Sequence, residues 1–537
     1  MFLRLCAVLI LMLTGLYFAA QYFSRADIRP GRQTAAMYLV SALCMGMVFS
    51  FMTPAYTISD ERTHVDAVYI LSNRLLGIRD IPGPSRLLKR ACDIDSSIAI
   101  TMPLTAERYR SVERELFGAA PKMNYGTVDT EGSGGHNAAE SASGDPASLS
   151  GRHRPSGRER LAAYTRNSLD NVPVLCYLPA SVGFTAARLM GRNLITMVMA
   201  ARWFNLLACI LVMYMAVRRM PYAGAMMAVI GLFPKTLQQM ASCSYDGMVI
   251  AGIFLFTAYC LAAAFDKEIC IADLLVLTLS GIFAASCKGG AYLPVLGMLF
   301  LIPAARSGMT IRGKTGLRWY LVCAAAAGSA VFLFAGKFVV RLAGMFGRKS
   351  GSAVVGAGTK SLYTVSDFIH APGKLVHIYL NTLYVRSDGI LGELVGKNLS
   401  QKWYIVYAFL ILAILGLLRR FTAPQKDGMD PDSDKTNESS TGNHICLSGR
   451  IWILLLAAAS TALIFLSMLI AFTSREMPYI DGLQGRYFIP IAPLPFLAAE
   501  NGLVHRDGIG DTALLYTADV LLALTFCEIL MFYLGTA

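Results

Sequence analysis

The chain has 537 residues, of which 55% are hydrophobic and only 15% charged, and its mean hydropathy is +0.51. Soluble domains carry roughly 25% charged and about 45–50% apolar residues, so a soluble globular enzyme, a disordered chain and a fibrous protein are excluded and a polytopic membrane protein remains. The 48 Lys and Arg against 35 Asp and Glu give +13; with no basic stretch interleaved with aromatics, the excess reads as loops held against anionic head groups and not as a nucleic-acid surface.

The first apolar run, Phe2 to Phe23, has a basic flank in Arg4 and is long enough to be a retained helix instead of a cleaved leader. A window near 20 residues places spans at 3–23, 36–57, 195–217, 222–242, 247–265, 270–287, 289–304, 318–338, 402–419, 450–473, 486–504 and 512–534, about twelve in all. The expected fold is an all-α transmembrane helical bundle. The run 173–190 is apolar but short and carries Pro173 and Pro179, which suits a juxtamembrane helix. That choice also puts the basic loops Arg25/Arg29/Arg32, Arg218/Arg219, Arg306/Arg312/Lys314/Arg318 and Arg419/Arg420/Lys426 on one side, as the positive-inside rule asks, with both termini outside.

The organisation that follows is an extra N-terminal helix and basic cytoplasmic loop (1–35) and a helix (36–57). A large extracellular loop (58–194) follows, with a Gly/Ser-rich insertion at 126–160 and the juxtamembrane helix 173–190. Then come transmembrane helices (195–338), an outer loop (339–401), a helix (402–420), a cytoplasmic disordered linker (421–449) and C-terminal transmembrane helices (450–537). The twelve cysteines show no CxxC or zinc spacing and most sit in apolar runs as small hydrophobes; no pattern supports a disulfide between Cys92 and Cys176.

Ionisable and amide side chains inside apolar runs point to function, because facing lipid they cost several kcal/mol each. Lys235, Gln238, Gln239, Ser242 and Asp246 follow helical spacing and fall along one face, either as an interhelical hydrogen-bond seam or as the wall of a wet cavity open to the outside. Arg202 and Asn205 lie one turn apart in AARWFN. Lys288 sits in SCKGG, as a snorkelling lysine or a site residue. Asp60, Glu61, His64 and Asp66 crowd the start of the first outer loop, where two carboxylates and an imidazole suit a general base, a divalent cation held by Asp60, Glu61 and His64, or a capped helix start at Ser59 or Asp60. Gln484, Gly485, Arg486 and Tyr487 stand at the entry of a late span, as a phosphate contact or an interfacial anchor.

In order, these are SDE-x-x-H, YLPA (Tyr177–Ala180), R-x-x-N (Arg202, Asn205), S-x-S-x-D (Ser242, Ser244, Asp246), Lys288 and QGRYFIP. Together they resemble the domain-of-unknown-function 2142 family of bacterial multi-spanning membrane proteins, over about residues 36–505. That family looks related to the GT-C superfamily of membrane glycosyltransferases, which take a sugar from a polyprenyl-phosphate carrier at the outer membrane face. The resemblance implies a GT-C-like fold and transfer of a sugar to an envelope glycan or glycoprotein acceptor at the cell membrane. It implies Asp60 or Glu61 as catalytic base, and Lys288, Arg486, Tyr487, Asp246, Arg202, Asn205, Lys235, Gln238 and Gln239 as the substrate and lipid-phosphate site. Some superfamily members use a divalent ion (Mg or Mn) and some do not, so no cofactor is assigned. An extra helix before the SDE span and the 126–160 insertion depart from the superfamily pattern. A transporter or flippase of a lipid-linked glycan predicts a repeat-related pair of bundles, which the sequence does not display; a non-catalytic envelope assembly component would keep the same fold.

Overall fold

The computed structural model describes residues 2–53, 55–56, 58, 60–78, 86–90, 92–93, 159–163, 169, 172–266, 269–302, 310–311, 314–315, 351–355, 358–396, 402–420, 445–500, 504–506 and 508–534. The helices, numbered in chain order, are α1 Phe2–Arg25, α2 Pro30–Met52, α3 Glu61–Leu75, α4 Leu178–Leu189, α5 Leu194–Arg219, α6 Gly224–Gly231, α7 Pro234–Met240 and α8 Asp246–Phe265. They continue with α9 Ile271–Ser286, α10 Val365–His370, α11 Pro372–Val395, α12 Trp403–Leu417, α13 Leu447–Ala471, α14 Pro493–Ala499 and α15 Asp511–Leu534. Short antiparallel pairs join β1 Arg86–Arg90 to β2 Glu159–Ala163 and β3 Gly351–Val355 to β4 Gly358–Leu362.

Among the described residues seven helices are long and apolar enough to cross a bilayer: Cys6–Arg25, Pro30–Met52, Leu194–Arg219, Asp246–Phe265, Ile271–Gly290, Leu447–Ala471 and Asp511–Met531. The protein is an all-α multi-pass membrane protein in contact with lipid. Helices suit this setting because each satisfies its own backbone groups where no water is at hand.

The difference from about twelve expected spans has local causes. The run 318–338 lies outside the described residues, as do nearly all of the 126–160 insertion and of the 421–449 linker. The run 222–242 is not one helix: α6 stops at Gly231 and α7 restarts at Pro234, because a proline has no N–H to continue the ladder but fits a first helical turn. The run 289–304 is interrupted by left-handed backbone at Lys288, Gly289 and Gly290 (φ 46°, 62° and 93°) before a 3-10 helix at Leu293–Phe300. The run 486–504 becomes a 3-10 helix, Gly485–Ile491, containing Pro490, followed by the short α14. Helix α12 has only 15 residues, about 22 Å at 1.5 Å per residue. The run 173–190 forms a 3-10 turn at Val174–Cys176 and the 12-residue α4, too short to cross a hydrocarbon core of about 30 Å. Helix α11 occupies 24 residues of the 339–401 segment, which the sequence reading leaves as a loop.

Two compact units divide the chain. The first gathers Met1–Met45, Ile210–Thr236 and Val249–Cys527. In it α6 lies against α12 at Gly416, where a Cβ would stand 2.6 Å from the backbone nitrogen of Met226 and 2.8 Å from the carbonyl carbon of Ala225. Helices α2 and α15 share two polar contacts: Thr34 Oγ1 donates to Asp511 at 2.8 Å, and Ser41 Oγ donates to the buried Asp519 at 2.7 Å. Arg219, at the end of α5, is held by Asp266 and by Asp273. The second unit gathers Gly46–Cys209, Leu237–Met248 and Glu528–Ala537. There α3 packs on α4: Thr185 donates to Ser72 at 2.9 Å, and Arg188 donates to Asn73 at 2.7 Å while lying 4.7 Å from the Tyr69 ring centroid. At Gly183 of α4 a Cβ would meet the carbonyl oxygen of Ala200 and the ring of Phe204, so α4 rests directly on the backbone of α5. Cys92 and Cys176 are both free thiols.

Gly416→Val should lower the apparent melting temperature in detergent, since overpacking against backbone costs about 1–3 kcal/mol. Gly389→Ala, in α11 with nothing within 4 Å of the new Cβ, should leave it unchanged or raise it, because alanine loses less backbone freedom.

Candidate functional site

The second unit builds its polar centre where the chain leaves α2 and enters α3. The turn uses two left-handed non-glycine residues, Tyr56 (φ 68°) and Asp60 (φ 62°), a conformation that costs of order 1–3 kcal/mol unless the surroundings hold it. Glu61 holds it. Its carboxylate accepts from the Tyr56 backbone N–H at 2.8 Å, from Arg202 Nε at 2.8 Å and Nη2 at 2.5 Å, and at 3.5 Å from the Cys243 N–H. Both side chains of the Glu61–Arg202 pair are wholly buried. The remaining arginine nitrogen, Nη1, donates to the carbonyls of Thr53 at 2.5 Å and Ser50 at 3.4 Å, closing the C-terminal end of α2, where carbonyls lack partners within the helix. Asp60 stands beside this clamp at the N-cap position of α3, exposed, and its side chain makes no capping hydrogen bond.

One turn along α5, Asn205 Nδ2 faces three carbonyls: Ser242 at 2.9 Å, and Met240 and Ser244 at 3.3 Å. Ser242 Oγ donates to Gln239 at 2.7 Å and accepts from the Ser244 N–H at 3.0 Å. Ser244 Oγ accepts from the Asp246 N–H at 3.1 Å. The S-x-S-x-D motif is thus the joint between α7 and α8: one serine closes the first helix, the other caps the second, and Asp246 occupies the first turn of α8, where negative charge suits the dipole.

His64 is buried one turn into α3, with Nδ1 hydrogen-bonded to the Tyr177 hydroxyl at 2.8 Å and its ring edge-on to Tyr245 at 5.1 Å. Tyr177 and Tyr245 are themselves edge-on at 5.6 Å. Four motifs, SDE-x-x-H, YLPA, R-x-x-N and S-x-S-x-D, therefore meet in this one unit. On the far side of α3, Asp66 pairs with Lys89 at 2.7 Å; burial pushes the Asp66 carboxyl up and the lysine pulls it part of the way back. Burial, reinforced by Glu61 and opposed by Arg202, also pushes the Cys243 thiol well up.

The first unit carries a separate cationic group. Lys288 Nζ lies 4.0 Å from the centroid of the Tyr487 ring and the Arg486 guanidinium carbon lies 5.4 Å from the same centroid. Tyr292 donates to the Tyr487 carbonyl at 2.9 Å, and Glu393 accepts from the Gly485 N–H at 2.8 Å. Gly485 leaves no room for a side chain against the backbone of Ile390 and Leu394 in α11. Two cations gathered around one aromatic ring, with Arg486 buried, make a setting for an anion.

Of the residues singled out from sequence, Glu61, His64, Arg202, Asn205 and Asp246 join the second unit's centre, and Lys288, Arg486 and Tyr487 join one another in the first. Lys235, Gln238 and Gln239 are buried on α7, and both amide atoms of Gln239 lack a hydrogen-bond partner. Asp60, Glu61 and His64 do not form a cation site: Glu61 has its oxygens filled by Arg202 and backbone N–H groups, His64 has Nδ1 on Tyr177, and among the described residues no group of three His, Cys, Asp or Glu is placed to hold a metal. Sequence reasoning did not anticipate Tyr56, Tyr245, Tyr292 or Glu393; only Tyr245, inside S-x-S-x-D, carried a signal.

The model of the family described as Predicted membrane protein (DUF2142) matches residues 43–495. No curated protein and no solved structure matches the chain.

Arg202→Met should lower stability by about 3–5 kcal/mol, the cost of leaving one partner of a buried pair uncompensated, and Glu61→Gln combined with Arg202→Met should recover part of it. Thermal unfolding in detergent of these two variants and of Glu61→Gln alone reads the coupling; a double-variant loss equal to the sum of the two single losses would show that the two charges are not coupled.

Proposed function

This chain belongs to the DUF2142 family of predicted membrane proteins, and we propose that it transfers a glycosyl group from a polyprenyl-phosphate donor to an envelope glycan or protein acceptor at the outer membrane face. The observation that carries the reading is Asp60: an exposed carboxylate on a left-handed turn, held by the wholly buried Glu61–Arg202 pair beneath it. A base needs access to its substrate and a fixed position, and Asp60 has both. Glu61, with its acceptor positions filled, serves as the anchor.

In the proposed reaction the acceptor hydroxyl gives its proton to Asp60, and its oxygen attacks the anomeric carbon of the donor. The bond from that carbon to the phosphate oxygen breaks, and polyprenyl phosphate leaves with the electron pair. Lys288 and Arg486, gathered at Tyr487 within the first unit, are the proposed contacts to a lipid phosphate. Within the second unit Asp246, Asn205, Gln238 and Gln239 line the polar interior, and Arg202 acts through Glu61. The proposal keeps a GT-C-like bundle of about twelve crossings, with α6–α7 and the Gly485–Ala499 stretch crossing as interrupted helices, and with both termini outside. The proposed step routes nothing through a metal at Asp60, Glu61 and His64, which are not arranged as ligands.

One observation favours a second reading. The α6–α7 break, with Lys235 and Gln239 buried beside it, is also how secondary transporters shape a central site, and the substrate would then be a lipid-linked glycan moved across the bilayer without cleavage.

Purified protein in proteoliposomes with a radiolabelled polyprenyl-phosphate sugar separates the two. Transfer should appear with wild type and fall about 10²–10⁴-fold in Asp60→Asn, the usual contribution of a general base, while Lys288→Met weakens donor binding. Undiminished transfer in Asp60→Asn removes the proposed base, and movement of intact labelled lipid without transfer establishes the transporter.

A further inference from the structure

Helix α11, Pro372–Val395, is amphipathic in the reverse sense of a water-exposed helix. Tyr379, Thr382, Arg386 and Glu393 follow spacings that align them on one face, and each makes a hydrogen bond into the protein. Tyr379 donates to the Ala462 carbonyl at 2.9 Å, Thr382 accepts from the Ile480 N–H at 3.0 Å, Arg386 donates to the Leu483 carbonyl at 3.3 Å, and Glu393 accepts from the Gly485 N–H at 2.8 Å. The polar face is therefore spent on the backbone of α13 and of the segment that follows it. A second stripe, Val376, Leu380, Leu383, Tyr384 and Leu391, points outward, with Leu380 61% and Tyr384 88% exposed.

Depth follows from the Tyr379 contact. Ala462 lies nine residues before the end of α13 at Ala471, about 13 Å below that end at 1.5 Å per residue. Helix α13 is one of the candidate spans, so the side of α11 that touches it lies at hydrocarbon depth. An outward apolar stripe there has acyl chains to meet, and in water it would form an unusual exposed patch.

We propose that α11 is a lipid-contacting element of the protein, with the Val376–Leu380–Leu383–Tyr384–Leu391 stripe against acyl chains. It is not a water-exposed loop segment. The inference is independent of the glycosyl-transfer reading.

The test is site-directed spin labelling of the full chain in liposomes. Cys270 and Cys446, the two exposed thiols among the described residues, are first changed to serine. Single cysteines then replace Val376, Leu380, Tyr384 and Leu391 on the stripe, and His377 and Asp388 on its flank. Relaxation by oxygen should dominate over relaxation by a water-soluble nickel chelate at the four stripe sites. The oxygen-to-nickel ratio should fall at the two flank sites, tracing a period of about 3.6 residues. Nickel dominance at the stripe means that water covers it, and exclusion of both reagents means that protein covers it; either result overturns the proposal.

Discussion

The second unit is organised around one ion pair without access to water. Moving a carboxylate and a guanidinium out of water costs several kcal/mol for each ion, and their attraction offsets this only when the other hydrogen-bonding positions are also filled. Glu61 and Arg202 meet that condition: the carboxylate takes four donors, and the guanidinium spends its remaining nitrogen on two carbonyls at the end of α2. The pair fixes the direction in which the chain leaves α2, the left-handed turn that follows, and the first residue of α3. Weakening it would release Tyr56 and Asp60 from conformations that they do not adopt on their own.

The same economy of unsatisfied groups explains the interrupted helices. A helix that stops inside an apolar protein leaves carbonyls and N–H groups that no solvent will cover. At the α7–α8 joint Asn205, Ser242 and Ser244 cover them, and at the entry to Gly485–Ile491 Glu393 covers the Gly485 N–H while Tyr292 covers the Tyr487 carbonyl. Short polar side chains at these joints are therefore structural before they are anything else.

Membrane class and the location of polar centres were legible in the sequence because hydropathy and misplaced charge are local properties. The clustering of SDE-x-x-H, R-x-x-N and S-x-S-x-D was foreshadowed by their polarity inside apolar runs. The partner choice was not: nothing in SDE-x-x-H distinguishes Glu61, which turns inward to Arg202, from its exposed neighbour Asp60, since the distinction arises from the left-handed backbone at Asp60. The breaks at Pro234 and at Lys288–Gly290 were hidden because averaging hydropathy over a window ignores a missing N–H or a reversed φ. Helix α11 was read as loop for a related reason: its apolar stripe is diluted by Thr382, Arg386 and Glu393, whose role depends on backbone 92 or more residues downstream.

The contacts between α2 and α15 bear on biogenesis. Thr34 and Ser41 are synthesised 477 and 478 residues before the aspartates that they bind. An aspartate at the centre of a span costs about 2.5–3.5 kcal/mol, and in the folded protein Ser41 gives the Asp519 carboxyl a hydrogen bond there. The pairing of α2 with α15 can therefore close only after nearly the whole chain has been made, so the first and last parts of this unit are joined at the end of synthesis.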